Sequence, residues 1–150
     1  MRCVHYSSTF VSNDMQNHVR NNLSEIPGKA AIWSDEHGLS WITFEPGAEI
    51  SGEDAVILLE FAKRTYNESE FFRVLIDLRS NPVITKEARE FAASGVVNFY
   101  ISAFAILASD LSMRLVGNFF IHFHKPDQPT RIFTDENEAR EWLLIQKDKK

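Results

Sequence analysis

The chain has 150 residues, 44% of them hydrophobic and 25% charged, with a formal net charge of −5. That is the length and composition of one globular domain, large enough to bury a core without a metal or disulfide staple. The acidic balance speaks against a nucleic-acid partner, the single Cys3 leaves no internal disulfide and fits a reducing compartment, and no apolar run reaches the ~20 residues of a membrane span.

Residues 1–28 are rich in Asn and Ser, with scattered apolar positions at Val4, Tyr6, Phe10 and Val11, and read as a weakly structured extension closed by the turn Pro27-Gly28. No apolar core with a small-residue cleavage site opens the chain, so a cytoplasmic location is expected. Ala30–Ser34 and Leu39–Phe44 are β-rich runs around Glu36-His37-Gly38, a hairpin pattern, with Leu39, Trp41 and Thr43 on one side and Ile42 and Phe44 on the other. Ser51 with Asp54 predicts a capped helix whose apolar face is Ala55, Leu58, Leu59, Ala62 and Tyr66. Phe72–Leu78 reads as a strand covered on both faces. Thr85 caps the next helix, with Ala88, Phe91, Ala92, Val96 and Phe99 along one face and Gly95 weakening or ending it. Ser102–Ala108 is a second buried strand. Ser109 is expected to cap a helix running from Asp110 to about Phe123. Thr130–Phe133 is a last short strand, and Thr134 or Asp135 caps a helix presenting Ala139, Trp142, Leu143 and Gln146.

The order is β-β-α-β-α-β-α-β-α, which predicts an α/β domain over residues 29–147 with a mixed, mostly parallel sheet covered by helices, followed by a tail at 148–150. The strings Leu75-Ile76-Asp77-Leu78-Arg79, Ile84-Thr85-Lys86-Glu87-Ala88-Arg89, Gly117-Asn118-Phe119-Phe120, Phe133-Thr134-Asp135-Glu136 and Trp142-Leu143 carry a resemblance. With this order of elements they resemble the STAS domain (SpoIIAA-like), in a bacterial branch labelled STAS/SEC14-like, over roughly Ile32 to Leu144. The resemblance implies the fold, a bacterial cytosolic setting and little about activity. Antagonists of that family open a helix with an Asp-Ser-Ser-Gly type sequence whose Ser is phosphorylated. Here the matching stretch is Thr85-Lys86-Glu87-Ala88, with Lys86 at the phosphorylatable position, so that switch is expected to be absent.

No Gly-rich phosphate cradle and no assembled catalytic set is recognisable. His122 and His124 lie about 200° apart on a helix, so neither a metal nor another cofactor is expected. Two surfaces remain. The C-terminal ends of the parallel strands gather Arg79, Ser80, Asn81, Thr85, Lys86, Ser109 and Asp110, which read either as the rim of a polar or anionic ligand site or as helix caps with Arg79 paired to a carboxylate such as Asp77 or Glu87. The helix from Asp110 has Leu115, Val116, Phe119 and Phe123 on one face, while Met113, Phe120 and Ile121 extend its apolarity around the rest. Such a helix is either enclosed or covers a partner; Met113, Phe119, Phe120 and Phe123 are its candidate partner or pocket surface. Gly117 would let a neighbouring element approach closely.

The expected function is a non-enzymatic protein-interaction or regulatory module, with a homodimer or another protein as partner. The alternative is a carrier of a small apolar ligand or lipid, walled by Trp41, Phe91, Phe119 and Phe120, which requires a cavity of at least ~300 Å³.

Overall fold

The computed structural model describes residues 20–65 and 72–146. The chain enters the sheet at Asn21–Ile26 (β1), an edge strand antiparallel to Ala30–Ser34 (β2). Residues 21–26 lie in the segment expected to be weakly structured. They are ordered into the sheet because Leu23 and Ile26 each pack against one of its two cores. β2 turns back into Ser40–Phe44 (β3), with Ile32 opposite Ile42 and Trp33 opposite Trp41. The turn is tied by Asp35, whose carboxylate accepts the backbone N–H groups of His37 and Leu39 and the indole N–H of Trp41. Gly38 takes a φ of 81° there, which favours glycine.

Beyond β3 the sheet is parallel. Phe72–Asp77 (β5), Ile101–Leu107 (β7) and Thr130–Phe133 (β8) complete a six-stranded sheet in the order β1-β2-β3-β5-β7-β8. Glu49–Ile50 (β4) and Val83–Ile84 (β6) form a small parallel pair at its margin. Every residue of β7 is buried, as a central strand covered on both faces requires.

Four helices cover one face: Gly52–Thr65 (α1), Lys86–Ala92 (α2), Gly95–Tyr100 (α3) and Leu111–Phe119 (α4), the last continued by a π-helical turn at Phe120–His124. Their inward residues Leu58, Leu59, Ala62, Ala88, Val97 and Phe120 share one core with Ile32, Phe44, Val74, Phe104 and Ile106. Glu136–Leu144 (α5) covers the other face. Its Ala139 and Leu143 close a second core holding Trp33, Trp41, Leu75, Ala105 and Leu107. The indoles of Trp33 and Trp41 stack there at 4.9 Å between centroids.

The caps follow the short polar side chains. Ser51 and Asp54 bond each other's backbone N–H groups reciprocally at the start of α1. Burial raises the Asp54 pKa, but hydrogen bonds from Lys29 and from the Ser51 N–H and hydroxyl more than offset this and hold it below the ordinary carboxylate range. Thr85 caps α2 and Asp135 caps α5.

Three expectations are corrected. Asp110, not Ser109, caps α4, because its carboxylate reaches the Met113 N–H. The helix expected from Thr85 through Phe99 is two helices, α2 and α3. It breaks at Ala93-Ser94, where the Ser94 hydroxyl donates back to the Phe91 carbonyl, and the restart at Gly95 turns Val96 and Phe99 outward while Val97 is buried. The Asp110 helix also stops being α-helical at Phe119. Tyr66 of the expected α1 face lies outside the described residues.

Candidate functional site: a polar rim, an apolar cavity and an exposed ridge

The register aligns Asp77, Leu107 and Phe133 at the ends of β5, β7 and β8, so the segments carrying Arg79, Ser80 and Asn81 and carrying Ser109 and Asp110 leave the sheet at one edge, whereas Thr85 and Lys86 follow the separate β4–β6 pair. The polar groups of Arg79, Ser80, Thr85 and Asp110 are spent on structural bonds. Arg79 donates through Nε and Nη2 to both oxygens of buried Asp77 and lies 3.3 Å from Glu136 at the start of α5. The Ser80 hydroxyl donates to the Phe44 carbonyl. Thr85 Oγ1 donates to the Ile50 carbonyl and accepts from the Ala88 N–H, so its oxygen fastens the β4–β6 margin as well as capping α2. Asn81 sits in the left-handed region at φ 60°. The hydrogen bond from the Met113 N–H, with those from Ser112 and Asn81 and the charge of Arg114, outweighs desolvation and holds the Asp110 carboxyl below its usual range. Exposed Lys86 pairs with Glu90, and Ser109 is exposed on the same edge. Among the described residues no three His, Cys, Asp or Glu side chains converge on a point where a metal ion could sit.

An apolar cavity of about 130 Å³ lies between the sheet and the four-helix layer. Its floor includes Ile42, Val74, Ile76 and Ile106 from three strands; its roof includes Leu59 of α1, Phe91 of α2 and Phe120 of the π turn. Ile42 and Ile76, although on β3 and β5 in the interior of the sheet, are only partly buried and face the cavity. Ile84, Arg89, Phe91 and Val116 on the wall are half-exposed and mark where the cavity approaches solvent. The volume is less than half of the ~300 Å³ at which drug-sized ligand pockets begin, so a lipid's acyl chain does not fit this form. Of the four aromatic walls expected from sequence, Phe91 and Phe120 line the cavity. Trp41 points to the opposite face and Phe119 points to solvent.

The outer side of α4 is apolar as well. Leu111, Leu115, Phe119 and Phe123 follow one another at four-residue spacing and are 63%, 58%, 45% and 64% exposed. Phe119 and Phe123 stack at 4.8 Å, His124 packs edge-on to both, and the Arg89 guanidinium lies over Phe119. The inner side consists of Met113, Gly117 and Phe120 with Val116 and Ile121 at its margins. Thus the residues expected to share one surface divide: Phe120 is buried, Met113 is half-buried against the core, and Phe119 and Phe123 form the ridge.

His124 connects the two sides. Its Nε2 is buried without a hydrogen-bond partner among the described residues. Burial lowers its pKa, Arg89 and Lys86 lower it further, and Glu90 opposes them only in part. The folded pKa is depressed, so the unfolded chain binds the proton more readily. Stability is therefore complete above the ordinary value of about 6.5 and is lost as pH falls through the lowered folded value. We expect the wild-type Tm to decline between pH 7.5 and 5.5 and His124→Asn to flatten that slope; an NMR titration placing His124 at or above 6.5 would contradict the assignment.

The family model described as "Domain of unknown function (DUF7793)" matches residues 32–147, and the chain belongs to that family. No curated protein matches it. Among solved structures it is similar to an uncharacterised protein of the DUF3478 family with a SpoIIAA-like fold from Shewanella loihica PV-4, at 13% identity and a TM-score of 0.53. The match covers 86% of this chain and 98% of the other. At that identity the likeness establishes the fold, and the mostly parallel sheet flanked by helices agrees with it.

Proposed function

We propose that this member of the DUF7793 family is a non-enzymatic interaction module that docks a protein partner through the outer ridge of α4. One observation carries the reading: four large apolar side chains in consecutive turns of one helix face solvent, while the polar groups at the strand ends are occupied by structural bonds. Contiguous exposed apolar surface of this kind marks association sites more often than chance scatter does. The ridge suits an apolar helix or strand laid along it, with Arg89 over Phe119 as a cationic border. The test is a photo-crosslinkable phenylalanine analogue installed at position 123 in the native host, with the same analogue at exposed Glu141 of α5 as control. A discrete protein adduct, to a second copy or to another protein, is expected from position 123 and not from position 141. Identical adduct patterns at both sites would remove the proposal.

A second reading, a carrier of a small apolar ligand, is favoured by the cavity alone. Its load would be far smaller than a lipid.

A further inference from the structure

The cavity of about 130 Å³ has an almost wholly apolar wall. Part of that wall is aromatic, with Phe120 meeting Phe104 edge-on at 6.3 Å between centroids. Among the described residues Arg89 is the one charged residue lining it, and its guanidinium has nothing to give an occupant. Nη1 donates to the Ile84 carbonyl, the ring of atoms lies over the outward-facing Phe119, and Nε, without a partner among the described residues, is sealed from solvent. Water settles in a cavity only where about two to four polar partners hold it, so this chamber stays dry. A hydrogen-bonding group carried in on a ligand would lose its water and find no replacement.

From this we infer that the cavity binds a small uncharged molecule of single-ring size that carries no hydrogen-bonding group. The inference rests on the carrier reading, whose ligand class it names, and is independent of the ridge. Size and polarity each select the occupant. An apolar cavity of roughly 150 Å³ stays dry and holds one benzene ring, which is the scale of this chamber. A hydrocarbon entering it gains contacts on all sides and displaces no bound water. The same ring bearing a hydroxyl would bury that group unpaired, at a loss of about tenfold or more in affinity. The half-exposed Ile84, Phe91 and Val116 mark the side from which a ligand enters.

The test is titration of the full chain at pH 7.5 with benzene and cyclohexane against phenol and benzoate, followed by calorimetry and by the methyl NMR signals of isoleucine and leucine. Benzene and cyclohexane should bind at millimolar concentration or below. They should move the methyls of Ile42, Ile76 and Ile106 on the cavity floor and leave those of Leu143, in the core on the other face of the sheet, in place. Phenol should bind at least about tenfold more weakly than benzene, and benzoate should not bind. Ile42→Trp, whose larger side chain fills the chamber from the floor, should abolish benzene binding. Ala92→Leu, a smaller intrusion from α2, should weaken it and serves if the tryptophan variant does not fold. Phenol or benzoate binding as tightly as benzene would overturn the ligand class and leave the carrier reading standing. No binding of either hydrocarbon at millimolar concentration, or binding that leaves the floor methyls unmoved, would overturn both.

Discussion

Asp35→Ala is expected to destabilise the domain by about 3 kcal/mol, lowering Tm by on the order of 10 °C. The carboxylate is 2% exposed and is the shared acceptor for the N–H groups of His37 and Leu39 and for the indole of Trp41. Hydrogen bonds to a charged acceptor contribute about 1.5–3 kcal/mol each, and removing the acceptor strands the buried Leu39 and Trp41 donors, while water can take over the part-buried His37 N–H. The loss also loosens the Trp33–Trp41 stack, because the Trp41 indole is held at one end by Asp35. Asp35→Asn should recover only part of the stability: its amide offers one acceptor oxygen and turns an N–H₂ toward donors. Urea unfolding gives the magnitudes, and the near-ultraviolet circular dichroism of the tryptophan pair reports the stack. Both variants unfolding within about 0.5 kcal/mol of wild type would mean that the hairpin is set by strand pairing alone.

Gly117→Val is the second large effect, a loss of roughly 2 kcal/mol. A Cβ on Gly117 would lie 2.9 Å from Ile132 Cδ1, 3.2 Å from Ile132 Cγ1 and 3.4 Å from Ile106 Cγ2, so α4 rests closely on side chains of β7 and β8 at this glycine. Gly117→Ala separates two contributions. Alanine gains about 1 kcal/mol of helix propensity over glycine, and the tip of Ile132 can rotate aside, so its net effect should be small. Valine adds branched methyls where side chains on two strands already meet, and α4 must lift. Thermal unfolding of the two variants side by side gives the comparison; valine tolerated as well as alanine would place α4 farther from the sheet than the structure has it.

The same glycine shows what sequence reasoning could reach and what it could not. The β2–β3 hairpin, β5, β8, the cap at Thr85 and, to within the pair Thr134-Asp135, the last cap were legible because each depends on local chemistry: a turn glycine, a continuous apolar run, a short oxygen-bearing side chain ahead of a helix. The fold class followed from their order. The orientation of α4 was not legible from periodicity, because apolar residues occupy both of its sides and a 3.6-residue repeat fits either one. The signal that resolves it is steric. Gly117, with Met113 four residues before and Phe120 three after, marks the stripe whose backbone approaches the sheet, and Leu115, Phe119 and Phe123 are left outside. β1 escaped notice because an edge strand needs few apolar residues, and here Leu23 and Ile26 suffice. The break between α2 and α3 was half visible at Gly95; Ser94, which closes α2 through its hydroxyl, gave the other half. The cavity is a shortfall of volume among four helices and has no local sequence signature. Arg89 read simply as part of a helix, and its unpaired Nε is a property of the packing around it.

Because one side of α4 closes the cavity and the other forms the ridge, the account turns on the outer residues being dispensable for folding and required for association. The double variant Phe119→Ser, Phe123→Ser measures this most directly, by comparing its Tm with its recovery of crosslinked or co-purified partner from the native host. The expected result is a Tm within about 3 °C of wild type, as for substitutions at exposed positions, together with loss of the partner. A collapse of Tm would show that these rings belong to the core, and undiminished partner recovery would show that docking occurs elsewhere; either result contradicts the account.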